Sequence, residues 1–204
     1  MSVMIPDLEG TFRGLVPTRD ALLLELEEEA RRENIPIVGP VVGALLHVLA
    51  RVMHAGVILE LGTATGYSAI YLARACEKTM GRMVTLEKDG AMAKRAQGNF
   101  NKAGLEGHIE IKVGDALAEM EKIHGPFDMI FMDIDKHDYL PTLSPCHRLL
   151  RRGGLLVADN VGFQGAGDFN RVISESPHWM AVHLLSFLPF HSPEKDGLCL
   201  ALRM

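Results

Sequence analysis

"VILELGTATGYSAIYLARAC", residues 57–76, decides how this chain folds. It begins as a short apolar run of strand length and turns through Gly62 and Gly66. It then continues with apolar side chains at helical spacing. A strand that passes through glycines into a helix opens a βα unit. The alternation repeats downstream. "MVTLE" (83–87), "IEIKV" (109–113), "FDMIFMD" (127–133) and "GGLLVAD" (153–159) read as strands. Between them "DGAMAKRAQGNFNKAG" (89–104, closed by Gly104), "ALAEMEKI" (116–123) and "DYLPTLSPCHRLL" (138–150, interrupted by prolines) read as helices. The tail differs, because "MAVHLLSFLPF" (180–190) and "GLCLALRM" (197–204) are two apolar strands with only a loop between them. The expected fold is α/β: a mostly parallel seven-stranded sheet with a C-terminal antiparallel hairpin and helices on both faces.

Upstream, "TRDALLLELEEEARREN" (18–34) reads as a helix opened by Thr18 or Asp20, its acidic run a solvated face. Residues 38–54 read as a second helix with a broad apolar stripe, either well buried or part of a subunit contact. With 204 residues and 48% hydrophobic side chains, one domain spanning residues 1–204 is expected, its first 55 residues capping the site.

A net charge of −5 speaks against broad nucleic-acid binding. Cys76, Cys146 and Cys199 show no CxxC spacing and read as free thiols of a reducing compartment. The N-terminus lacks a basic start followed by an apolar core, and "PIVGPVVGALLHVLARV" (36–52) carries prolines, His47 and arginine, unlike a membrane span. A cytoplasmic location is the expectation.

In open parallel sheets, ligands bind outside the carboxyl ends of the strands. Polar chemistry follows every parallel strand: Glu60, Gly62, Thr63, Gly66 and Ser68, then Glu87, Asp115, Asp133 to Lys136, and Asp159 with Asn160. The glycine turn is not GxGxxG, which disfavours a dinucleotide and an oxidoreductase. A glycine turn followed by Glu87, suited to a ribose diol, fits an adenosine compound without phosphate. S-adenosylmethionine is such a compound. Glu60 would meet its ammonium, and backbone amides near Ala116 would face adenine. The competing assignments are a salt bridge for Glu60, a surface acid for Glu87 and a helix cap for Asp115.

Asp133, Asp159 and Asn160 offer two carboxylates and an amide oxygen, a hard-oxygen set suited to magnesium, with manganese and calcium open. Lys136 would serve as general base beside the ion. Otherwise these acids cap helices and Lys136 pairs with them.

"ILELGTATGYSAIYLA", "GDAL", "MDIDKHDY" and "LLVADNV", with "DGLCLAL" near the end, resemble in order and spacing the cation-dependent O-methyltransferases, which include the catechol and caffeoyl-CoA O-methyltransferases. The resemblance runs from Val38 through Asn160 and implies a Rossmann-like class I methyltransferase. It implies that Val38, Glu60, Gly62, Thr63, Ser68, Glu87, Ala116 and Asp135 contact S-adenosylmethionine. Asp133, Asp159 and Asn160 would hold the metal, and Lys136 would be the base, with Asp133 beside it. It further implies a small phenolic acceptor and a homodimer. Tyr139 matches a family aromatic and reads as core. Phe187, Phe190 and His191 read as pocket, core or turn residues. Residues 161–196, where the chain departs most from the family pattern, would shape the acceptor pocket. The rival functions are a tRNA hydroxyuridine O-methyltransferase of the same fold and a non-catalytic ligand-binding protein.

Overall fold

A computed structural model describes residues 3–77 and 79–204. The strands are β1 (Val57–Leu61), β2 (Arg82–Glu87), β3 (Ile109–Val113), β4 (Phe127–Met132), β5 (Leu150–Ala158), β6 (Trp179–Phe187) and β7 (Lys195–Arg203). The helices are α1 (Leu8–Arg13), α2 (Ala21–Glu33), α3 (Gly39–Val52), α4 (Tyr67–Glu77), α5 (Gly90–Ala103), α6 (Ala116–Lys122), α7 (Tyr139–Leu149) and α8 (Gly167–Glu175). The strands form one seven-stranded sheet in the order β3-β2-β1-β4-β5-β7-β6. Pairings among β1 to β5 are parallel, and β7 runs antiparallel to both β5 and β6.

Successive strand residues feed opposite layers, as the pleat requires. Ile58, Met83, Met129 and Phe131 enter one buried apolar cluster with α3 and α4 side chains such as Val42, Leu46 and Ile70. Leu59, Leu61, Leu86, Ile130 and Met132 enter a second cluster with Met120, Leu143 and Phe169. Each fully buried Leu, Ile or Phe contributes about 1.5–3 kcal/mol of apolar transfer, which holds the helices to both faces.

The local chemistry sets the helix ends. Asp20, rather than Thr18, caps α2 by accepting from the Leu23 N–H at 3.0 Å. Gly104 ends α5 at φ +69°, where a side chain would be strained. Asp115 caps α6 by accepting from Ala118 N–H at 3.0 Å.

Three local expectations change, and one of the two alternatives left for α3 is favoured. The helix over Tyr139–Leu149 is not interrupted by its prolines. Pro141 lies in the first turn, where no intrahelical N–H partner is needed, and Pro145 is accommodated inside. The acidic run of α2 is not wholly solvated, since Glu27 is buried and accepts from the Tyr67 hydroxyl (2.7 Å) and Arg19 (2.9 Å). Two helices, α1 and α8, are additions to the sequence reading. The apolar stripe of α3 is largely spent inside the molecule on Val42, Leu46 and Ala50, leaving Val48 and Val52 exposed.

Chain direction across the sheet reverses between β1 and β4, so the crevice above their carboxyl ends is the switch point where open sheets bind ligands. The register Leu61↔Met132 and Met132↔Ala158 brings Gly62, Asp133 and Asp159 to one level of that rim.

Candidate active site

Gly62 leaves β1 at φ +94°, and a Cβ there would strike the Asp133 carbonyl. Only glycine satisfies both demands. Its N–H reaches the Leu86 carbonyl at 3.0 Å, and Gly66 (φ +86°) closes the turn on the Thr63 carbonyl at 2.8 Å. Glu87 anchors this turn from the neighbouring strand. One carboxylate oxygen accepts from the N–H groups of Thr63 (3.1 Å) and Ala64 (2.8 Å), the other from Asp89 N–H (2.9 Å). It is a buried, turn-holding acid rather than a free surface acid.

Glu60 lies beneath the turn and is fully buried. Its Oε2 accepts from the Thr85 hydroxyl at 2.5 Å, and Thr85 also meets the Thr63 hydroxyl at 2.6 Å. Its Oε1 has no partner among the described residues, and it forms no salt bridge there. Burial, opposed by the Thr85 hydroxyl and more weakly by that of Ser68, pushes the carboxyl up to about 8. A buried oxygen without a partner costs folding free energy, and a ligand donor would remove that cost.

A cavity of about 500 Å³ opens over these residues. Val38, Gly62, Thr63, Ser68, Glu87, Ala116, Asp133, Asp135, Lys136, Asp159 and Asn160 all border it, so the structure gathers the expected residues except Glu60, which stands behind the wall. The volume lies within the usual range for small-molecule pockets, about 300–1,000 Å³. The orphaned Glu60 oxygen, the glycine cradle and the acid at β2 together fit an adenosine compound bearing an ammonium.

On the opposite side, Asp133 and Asp159 emerge from paired strands, and their N–H groups still join the ladder to Leu61 (2.9 Å) and Met132 (3.0 Å). Lys136 Nζ donates to Asp133 Oδ1 at 2.7 Å and to the Ile134 carbonyl at 3.0 Å, and stands 5.1 Å from the Tyr139 ring centre. Withdrawal from water raises the Asp133 carboxyl's pKa, Lys136 pulls it back and the Asp159 charge pushes it further up. Asp135 caps a short 3₁₀ turn through His137 N–H at 3.1 Å. Tyr139 is fully buried, and its hydroxyl reaches the carbonyls of Asp159 (2.8 Å) and Met132 (3.2 Å), binding β4 to β5 just below the site. Packing is its role, as expected.

His191 and Asp196 come from the β6–β7 hairpin. His191 Nε2 faces both Asp159 oxygens (3.1 and 2.9 Å), and its Nδ1 lies 2.6 Å from the Pro193 carbonyl. Burial lowers its pKa, but the Asp159 carboxylate and the Pro193 carbonyl raise it overall. Asp196 bonds the Asn160 amide at 2.6 Å. The sequence left His191 open as a pocket, core or turn residue, and the structure puts it at the cavity; Asp196 was given no role. An acid directly ahead of an apolar strand, in "DGLCLAL", was the available signal. Among the described residues no three His, Cys, Asp or Glu side chains group as a metal site, so a cation here would depend on Asn160 as a donor. The carboxylate–carboxylate–amide set at one rim fits a hard dication.

The model of the O-methyltransferase family matches residues 17–182. The chain belongs to the O-methyltransferase family. The catechol O-methyltransferase of Niastella koreensis is 38% identical over 92% of this chain and 92% of its own length. The catechol O-methyltransferase of Sus scrofa is 33% identical over 82% of this chain and 92% of its own. Among solved structures, the O-methyltransferase TomG from Streptomyces achromogenes, in complex with SAM, superposes with a TM-score of 0.86 at 31% identity, covering 97% of this chain and 96% of its own. The O-methyltransferase from Bacillus cereus, in complex with SAH, gives 0.85 at 29% identity over 97% of each chain. This O-methyltransferase therefore has the fold of S-adenosylmethionine-dependent enzymes, and the dinucleotide and non-catalytic alternatives fall away.

Proposed function

We propose that this O-methyltransferase moves the methyl group of S-adenosylmethionine onto one hydroxyl of a vicinal diphenol held at a divalent cation. The carrying observation is that Asp133, Asp159 and Asn160 border the same cavity as the glycine turn and Glu87. The catechol O-methyltransferases among its relatives support the acceptor class. Val38, Gly62, Thr63, Ser68, Glu87, Ala116 and Asp135 would line the donor half, with Glu87 toward the ribose and Glu60 toward the ammonium. Asp133, Asp159 and Asn160 would hold the cation, with magnesium expected and manganese or calcium able to replace it.

A phenol ionises near pH 10, so the reaction needs help in losing its proton at neutral pH. A cation held by Asp133, Asp159 and Asn160 would supply Lewis acidity toward the acceptor hydroxyl, and S-adenosylmethionine would supply the methyl group. Lys136 takes the phenolic proton on Nζ. Ile134 and Phe163 border the cavity beside these groups and form an apolar wall for the ring.

All of residues 1–204 would serve this one unit. No described helix is long and apolar enough to cross a membrane. The three cysteines are buried and unpaired, and burial pushes each thiol up to about 12, which suits a reducing cytoplasm and excludes a reactive thiol.

The test is methyl transfer from labelled donor to a catechol, a hydroxycinnamoyl ester and bulk tRNA, with and without EDTA. The catechol should be labelled, EDTA should stop labelling and magnesium should restore it. Labelling of tRNA alone would transfer the acceptor reading to RNA, and full activity in EDTA would remove the cation.

A further inference from the structure

Asn160 sits in the left-handed region at φ +51° and presents a side-chain amide whose two ends are alike in shape and opposite in chemistry. Which end faces the cavity decides whether the residue can ligate a cation. Asp196, at the start of β7, is 3% exposed. Its Oδ1 is committed to two backbone N–H groups, those of Gly162 (3.1 Å) and Gly197 (2.6 Å). Its Oδ2 lies 2.6 Å from Asn160 Nδ2. The Ser192 carbonyl stands 3.4 Å from the same nitrogen. An ionised carboxylate only accepts, so the NH₂ end of Asn160 is turned inward and the oxygen end is left for the cavity that Asn160 borders. Asp196 forms no salt bridge among the described residues, and its hydrogen-bond partners are all neutral N–H groups. A buried carboxylate without a paired cation is costly, and a hydrophobic or amide side chain would be the cheaper filling.

We propose that Asp196 is the positioning residue that makes Asn160 an oxygen donor. The inference rests on the cation reading above and names the group outside the donor set on which that set depends. It gives the β6–β7 hairpin a second hold on the site, beside the contact of His191 with Asp159.

The hydrogen-bond pattern supplies a sharp test. In Asp196→Asn, the new amide must keep its oxygen on Gly162 and Gly197 N–H, so its NH₂ meets the NH₂ of Asn160. Asn160 then flips and turns nitrogen toward the cavity. Exchanging both residues, Asn160→Asp with Asp196→Asn, restores the bond in reverse, and a carboxylate oxygen faces the cavity. Mn²⁺ binding to the full chain, followed by electron paramagnetic resonance of the free ion, reads this directly. S-adenosylhomocysteine affinity without metal serves as the folding control. Asp196→Asn should weaken Mn²⁺ about 10–100-fold, the usual cost of losing an outer-shell partner, with the control unchanged. The exchange variant should recover most of the loss. Wild-type Mn²⁺ affinity in Asp196→Asn, or no recovery in the exchange variant, overturns the inference. Absence of Mn²⁺ binding by the wild type overturns the cation reading itself. Should Asp196→Asn fail to fold, Asn160→Asp alone sets two carboxylates against each other and must bind Mn²⁺ more weakly than the exchange variant. Equal binding by those two overturns the inference.

Discussion

Lys136 meets Asp133 and the Ile134 carbonyl, so its ammonium is held in one place before any acceptor arrives. As the proposed base, its loss should leave donor binding intact. In Lys136→Ala, S-adenosylhomocysteine should bind as to the wild type while kcat falls about 10²–10⁴-fold, the usual span for general-base catalysis. Equal turnover would take the lysine out of the chemistry. Glu60 yields a pH prediction. Its pKa is raised from 4.5 to about 8 by burial, so the folded protein without ligand holds a proton that the unfolded chain releases. The stability of the neutral form is present below about 4.5 and is lost as pH climbs toward about 8. An ammonium at Oε1 favours the carboxylate, so S-adenosylhomocysteine should bind more tightly from pH 6 to 8 and release a proton, as calorimetry in buffers of different ionisation enthalpy would register. Glu60→Gln should bind weakly and without that proton release. At this scale the strand-end residues Asp133, Lys136, Asp159 and Asn160 were legible because their positions follow from strand length alone. His191 was legible only as one of several possible pocket residues and Asp196 not at all, because both reach the site from a hairpin about thirty residues further along, and periodicity does not say what a hairpin covers.

Among the elements, the βα units were legible because each parallel strand carries a short, mainly apolar segment followed by a turn and a helical pattern, even in β3, where only Ile109 is buried. The two helices that were missed lack such a signal. The α1 helix has no buried residue. Asp7 caps it, Arg13 forms two bonds to Glu194 (2.7 and 2.8 Å) and Lys195 reaches Glu9 at 2.6 Å, all contacts with distant or capping partners. The α8 helix spans nine residues after a glycine-rich approach, and only Phe169 and Ile173 are buried. The pairing of β4 with β5 depends at its upper end on Tyr139, whose hydroxyl is buried between two carbonyls. Tyr139→Phe should therefore cost about 1–2 kcal/mol, the price of a lost buried hydrogen bond. A thermal melt should show a drop of about 2–8 °C. An unchanged melting temperature would mean that strand pairing alone holds the site's floor.

For the whole molecule, the α/β class was legible in the sequence, whereas which exposed apolar surface would meet a second copy was not. The stripe of residues 38–54 left burial and a subunit contact open for α3, and that helix buries Val42, Leu46 and Ala50, half-buries Val41, Leu45 and Leu49, and exposes Val48 and Val52. The larger exposed apolar strip lies on the edge strand β6, where Met180, Val182 and Leu184 are 63%, 51% and 40% exposed and Leu185 is 88% exposed. An open apolar edge is a liability that a second copy would cover. Sedimentation should give a homodimer, and Leu185→Glu should shift it toward monomer with the fold intact. A monomeric wild type would remove the dimer expectation.

The absent side chain at Gly62 has a consequence for how such an enzyme can change. The donor turn rests directly on the backbone of Asp133, so the two halves of the site are machined to a common face. Of the segment proposed to shape the acceptor side, residues 163–190 could change without disturbing that joint, whereas His191 and Asp196 are tied to Asp159 and Asn160. Position 62 cannot drift even by one methyl group, because the growth that would tilt the glycine turn would also push away the backbone of Asp133. Diversification is thereby channelled to one wall of the cleft, while the opposite wall stays frozen.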